Sequence, residues 1–254
     1  MALPATEQQT FSIGGVVSRT AQVLGKHFAL FLGLGVLAVI PNIIFANAMS
    51  ATHSAGAQLG ASHGFFILVT SLLSVALAFL LQAALAYATV RVLSEQPLGF
   101  NDALMTAVRA FFPLLGASII FGLALVIAFM LLVVPGLMLM TAWAVAVPAL
   151  VVERVGVFDS FKRSRLLTKG HRWSIFGLLL VYYLAVIILQ LAMRPIFGLS
   201  LGVTANLPIA YIVVNGFIQA VFAIVSATGI ACLYFELRSA KEGIGPQQLA
   251  SVFD

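Results

Sequence analysis

Residues 148–173, PALVVERVGVFDSFKRSRLLTKGHRW, constrain this chain more than any other stretch, because dense charge there lies hard against apolar sequence on both sides. Residues 111–152 before it and 173–193 after it hold no Asp, Glu, Lys, Arg or His. A bilayer core about 30 Å thick asks for about 20 apolar residues per helix, so the flanking runs read as membrane spans. The charged stretch then reads as the aqueous or interfacial connector between them. Composition agrees: 8% of residues are charged and 62% hydrophobic, against about 25% charged in an ordinary soluble domain.

Counted in spans, the 254 residues form a single integral membrane domain, 1–254, with six crossings at 28–49, 65–90, 113–134, 136–152, 173–193 and 208–235. Residues 11–27 have a helical period, with Ile13, Val16, Val17, Thr20, Val23 and Leu24 on one face and Ser18, Arg19, Gln22 and Lys26 on the other. That segment is too polar to span and belongs in the interface. A similar segment follows the Pro97-Leu98-Gly99 turn, where Asp102 suits the first turn of a helix. A turn at Pro135-Gly136 separates the third and fourth spans. The polar tail from Glu236, with Gly243, Gly245 and Pro246, opposes a long helix. The expected fold is all-α and polytopic: three hairpins of two spans, each preceded by a cytoplasmic amphipathic helix. The architectural repeat is weak at the level of residues.

Six crossings place both termini and both basic connectors on one side. Every Lys and Arg except Arg194 falls there, which makes that side cytoplasmic. The net charge of +5 and a pI near 9.7 therefore point to anionic headgroups as partners rather than to nucleic acid. The N-terminus lacks the basic and apolar regions of a cleaved signal peptide. A single cysteine, Cys232, excludes an intramolecular disulfide.

Drawn as a helix, the connector places Lys162, Arg165 and Lys169 on one stripe beside Phe158 and Phe161, with Arg172 just beyond. Glu153, Ser160, Ser164 and Thr168 occupy another. Rings and long cations together suit the headgroup layer, although cations that merely set topology would sit there too. Gly170 reads as the helix stop and Trp173 as the interfacial entry to the next span. Glu153 reads as a structural acid, paired with Arg154, Arg163 or a cation of another connector.

The run Pro148, Glu153, Ser160-Phe161-Lys162-Arg163-Ser164, Leu167-Thr168, Gly170 and Trp173 resembles the connector of YciC-like bacterial membrane proteins. It is also similar to the membrane domain fused to some glycerophosphodiester phosphodiesterases. Ser160-Phe161 stand where those proteins usually carry Ala-Leu, and the phosphodiesterase barrel has no counterpart here. The resemblance implies an integral protein of the bacterial inner membrane with a poorly defined role, and it transfers no activity.

No acid, base or His lies within the spans, which counts against proton-coupled transport. Asn215 and Gln219 share a helix face and read as interhelical hydrogen-bond formers or as part of a polar pocket. His53 and His63 lack a third ligand, so no metal site is expected, and no cofactor motif is present. No catalytic residues are assigned; Glu153, Asp159 and His171 are the local candidates, and their spacing supports no mechanism. The expected function is non-enzymatic: membrane or envelope maintenance, or interaction, through a basic lipid-facing surface. A passive transporter or channel for a neutral or apolar solute stands second, and a lipid-related enzyme third. A second copy or another membrane protein remains open as a partner.

Overall fold

The computed structural model describes residues 11–26, 80–94, 96, 100–197 and 209–242, with single positions at 29, 31–33, 65 and 69. Every regular element among them is an α-helix. Most of the expected first and second spans, the loop bearing His53 and His63 and the tail beyond Glu242 lie outside the described residues.

Helix α1, Ile13–Lys26, opens on Ser12, whose Oγ accepts a hydrogen bond from the Gly15 N–H at 3.3 Å. Val16, Thr20 and Val23 recur at helical spacing and are buried. The Thr20 hydroxyl sits on that apolar stripe at no cost, because it donates to the Val16 carbonyl at 2.7 Å. Helix α2, Leu80–Leu93, is apolar and rich in buried alanine, which lets neighbouring backbones approach closely. Helix α3, Phe100–Arg109, carries Asp102 in its first turn and Arg109 in its last, both favourable to its dipole.

Helix α4, Phe111–Leu131, buries Leu114 and Ala117 and turns Ile119, Leu123, Val126, Ile127 and Met130 outward. The chain reverses at Leu132, which is extended at φ −167°, ψ 153°. The turn expected at Pro135-Gly136 is therefore displaced, and both residues lie in the first turn of α5, Val133–Ala142. Proline is tolerated there because the N–H it lacks has no intrahelical partner. Gly136 is small for a separate reason: a Cβ at this position would meet the Phe129 ring at 2.6 Å.

The expected fourth span is not one continuous helix. Trp143, Ala144 and Val145 interrupt it, and α6, Ala146–Glu153, resumes beyond them. Pro148 accounts for the break, since a proline ring clashes with the carbonyl four residues earlier, here that of Ala144. Arg154 then adopts a left-handed conformation, and α7, Val157–Thr168, follows with Gly156 at its N-cap. Gly170, at φ +94°, stops α7, where an L side chain would be strained.

Helix α8, Arg172–Ile196, has Ile175 as its one buried residue. Arg194 and Pro195, expected in a loop, fall in its last turn, which closes with the Phe197 N–H bonded to the Arg194 carbonyl at 3.2 Å. Helix α9, Ile209–Glu242, runs 34 residues and does not end near Phe235 as its polar tail suggests. Helix α1 lies along α9, α5 packs on α4 and α8, and α7 touches α4, α5, α6 and α9.

Candidate functional site

Each polar group at the junction around α7 can be derived from the interrupted helix. In a regular helix the Ala142 carbonyl would accept from the Ala146 N–H, but that N–H turns instead to Trp143 at 3.1 Å. Ser164 repairs both sides of the gap. Its Oγ donates to the Ala142 carbonyl at 2.9 Å and accepts from the Val145 N–H at 3.3 Å. The Thr168 hydroxyl, 3.0 Å from the Ser164 carbonyl and 3.2 Å from that of Ala142, stands by as a second donor. Ser160, Ser164 and Thr168 recur every fourth residue and are fully buried, with the Ser160 hydroxyl returned to the Val157 carbonyl at 2.6 Å.

Phe161 is not on the cationic stripe. It is buried against Trp143 with ring centroids 4.4 Å apart, and Trp143 meets Phe121 at 5.9 Å. On a helical projection it lies about 60° from Phe158, at the margin between the two stripes, and the indole at the break draws it inward.

A closed ring of alternating charge ties α6, α7 and α9 together. The Arg163 Nε donates to both carboxylate oxygens of Glu153 at 2.9 Å. A second guanidinium nitrogen of Arg163 pairs with Glu242. Glu242 accepts from the Arg238 Nε at 2.9 Å. Arg238 donates to the Tyr234 hydroxyl at 3.0 Å, and that hydroxyl donates to Glu153 at 2.7 Å. Two acids and two arginines sum to zero, so the ring lies half-buried without an unpaired charge. Burial alone would lower the pKa of Arg163, but the hydrogen bonds and charges of Glu153 and then Glu242 outweigh it and hold it above its ordinary value.

Two further contacts explain the length of α9. Arg19 of α1 pairs with Glu236 at 2.5 Å, its guanidinium 5.0 Å above the Phe235 ring. The Lys241 Nζ donates to the carbonyls of Leu166, in the last turn of α7, at 2.5 Å and of its C-cap Lys169 at 2.7 Å, where a helix dipole favours a cation. Arg19, placed by periodicity on the solvent face of α1, is thus held against α9.

The opposite face of α7 is open. Phe158 is 68% exposed, and Lys162, Arg165, Leu166 and Lys169 share this exposed side. Asp159 pairs with Lys162 at 3.3 Å on the outer surface. Trp173 is 86% exposed, and Arg172 beside it has a buried Nε that finds no hydrogen-bond partner among the described residues. Both border a groove of about 210 Å³ walled by Val134, Leu137, Met138, Thr141 and Phe176.

Of the other sequence candidates, Glu153 meets Arg163 rather than Arg154, and His171 stacks on Phe11 at 4.7 Å. Glu153, Asp159 and His171 are each engaged with different partners. Asn215 and Gln219 are half-buried on α9. An apolar cavity of about 310 Å³ between α1, α8 and α9 is lined by Ser226 and Tyr182, and neither Asn215 nor Gln219 reaches it. Among the described residues no group of three or more His, Cys, Asp or Glu gathers as a metal site would require.

Among the described residues four segments, Phe111–Leu131, Val133–Glu153, Arg172–Ile196 and Val213–Glu242, are long and apolar enough to cross a membrane. With their outward apolar faces and the polar junction closing one end, they define an all-helical protein of membrane character. The chain belongs to the family described as Domain of unknown function (DUF7847), which it matches over residues 83–237. That match takes in Glu153, Arg163 and Tyr234 and leaves Arg19, Arg238 and Glu242 outside it. Comparison with curated proteins and with solved structures found no match.

Proposed function

We propose that the chain is a non-enzymatic, six-span protein of the bacterial cytoplasmic membrane, with both termini cytoplasmic, that engages anionic lipid headgroups through the open face of α7. The observation that carries this reading is the division of α7 into two sides. Ser160, Phe161, Ser164, Leu167 and Thr168 are buried, while Phe158, Lys162, Arg165 and Lys169 are exposed along the opposite stripe. Exposed rings beside unburied cations match the boundary between acyl chains and phosphates, where each cation contributes about 1 kcal/mol near an anionic leaflet. Arg172 and Trp173 extend the same surface to the start of α8.

The orientation is supported by contacts that bring Arg19, Arg163, Arg238 and Lys241 to one end of the helices, as a positive-inside arrangement requires. The kinship with YciC-like proteins rests on residues 148–173 and belongs to this proposal. Changing Lys162, Arg165 and Lys169 together to Gln is expected to lower retention of phosphatidylglycerol by the purified protein, with a loss that shrinks at high salt. Retention equal to that of the native protein at low salt would remove the headgroup role. The transport reading needs a route from the cavity near Ser226 to Asn215 and Gln219, and solute exchange by proteoliposomes would favour it.

A further inference from the structure

Among the arginines that belong neither to the ring nor to the open stripe, two meet at one place. Arg109 ends α3 and Arg154 follows α6, and both line one cleft of about 280 Å³ together with Thr106, Ala110, Pro113 and Val151. Among the described residues no acid lines this cleft and neither guanidinium has an ion pair. Glu153, adjacent to Arg154 in sequence, is already committed to Arg163 and Tyr234. Asp102, on the same helix as Arg109, does not border the cleft.

The backbone adds a second, independent observation. Arg154 sits at φ 52°, ψ 33° and is the one non-glycine described residue with positive φ. Glycine occupies that region freely, whereas a side chain with a Cβ is strained there. Strain held at a charged residue on a cleft is the pattern of a functional position.

We infer that this cleft binds a phosphate-bearing anion, held by the forked donors of Arg109 and Arg154 with the Thr106 hydroxyl as a further donor. A lipid headgroup and a soluble phosphate ester present the same chemistry to such a site. The inference shares with the proposed function only the membrane placement of the chain, and it uses none of the α7 cations.

The test uses the full chain in neutral phosphatidylcholine nanodiscs. One arm titrates inorganic phosphate and glycerol 3-phosphate by calorimetry, and the other counts bound phosphatidylglycerol by native mass spectrometry. Arg109→Gln with Arg154→Gln is expected to weaken binding on the order of tenfold or more in the arm that binds. The Lys162, Arg165 and Lys169 triple variant is expected to leave binding in the soluble arm within about twofold and, in the lipid arm, to lose only the phosphatidylglycerol that the double variant retains, so the two sites fail or survive separately. Arg154→Gly serves as the folding control: it is expected to raise the unfolding temperature while weakening the anion. Loss confined to the soluble arm assigns a free phosphate compound, and loss confined to the lipid arm assigns a headgroup. Binding by the double variant equal to the native protein in both arms, or no binding by the native protein in either, overturns the inference.

Discussion

Removing the Ser164 hydroxyl tests the account of the broken helix, because one atom serves both of its loose ends. Ser164→Ala deprives the Val145 N–H of its acceptor at 3.3 Å and the Ala142 carbonyl of its nearer donor at 2.9 Å. The carbonyl has a reserve, since the Thr168 hydroxyl is 3.2 Å away and only has to relinquish the Ser164 carbonyl at 3.0 Å. The buried N–H has no such reserve, and an orphaned donor costs about 1–3 kcal/mol. Thr168→Val alone leaves Ser164 in place and is expected to cost less than about 1 kcal/mol. Both changes together strand the carbonyl as well, so the double variant exceeds the sum of the singles by about 1 kcal/mol. The assay is reversible unfolding in mixed micelles followed by Trp143 fluorescence in a Trp173→Phe background, since Trp143 lies at the break itself. A Ser164→Ala variant within about 0.5 kcal/mol of its parent, or strictly additive costs, would refute the stitching role.

Glu153→Gln removes one acid from the ring and leaves Arg163 and Arg238 in excess, with an expected cost of about 2–4 kcal/mol; unchanged thermal stability would dismiss the ring as a structural element. Arg19→Met leaves the buried Glu236 carboxylate without its cation, and a loss of about 2–4 kcal/mol, partly recovered by adding Glu236→Gln, is the expected pattern in chemical denaturation. Gly136→Ala drives a methyl group into the Phe129 ring, costing about 1–3 kcal/mol; the penalty should shrink when Phe129 is already Ala, and a penalty that persists would locate the strain elsewhere.

What could be read from the chain alone followed its periodicities. Residues 111–131 and 173–193 announced themselves by the absence of charge, and Gly170 ended its helix where the spacing placed it. The stripe of Ser160, Ser164 and Thr168 was visible as a stripe, but its partner was not. The orphaned carbonyl of Ala142 exists only because Pro148 breaks the helix, and a proline within an apolar run can kink, break or simply begin a turn. The continuation of α9 past Phe235 was missed for a related reason. Glu236, Arg238, Lys241 and Glu242 look like a solvated tail until Arg19, Arg163, Tyr234 and the end of α7 are brought against them. Gly136 was noticed as a turn residue, whereas its smallness answers to Phe129, a contact that no local pattern encodes. The cleft of Arg109 and Arg154 joins two segments 45 positions apart (154 − 109), and nothing in either segment names the other.

The repair of the interrupted helix also orders events during synthesis. Ser164 lies 22 residues after the carbonyl it satisfies, and Thr168 lies 26 residues after it. While the ribosome is still making residues 146–163, the nascent chain carries an unmet acceptor at Ala142 and an unmet donor at Val145. That part of the polypeptide can reach its final shape only after the following helix has been translated and folded back onto it, so a stall between these points exposes a half-finished bend to quality-control proteases.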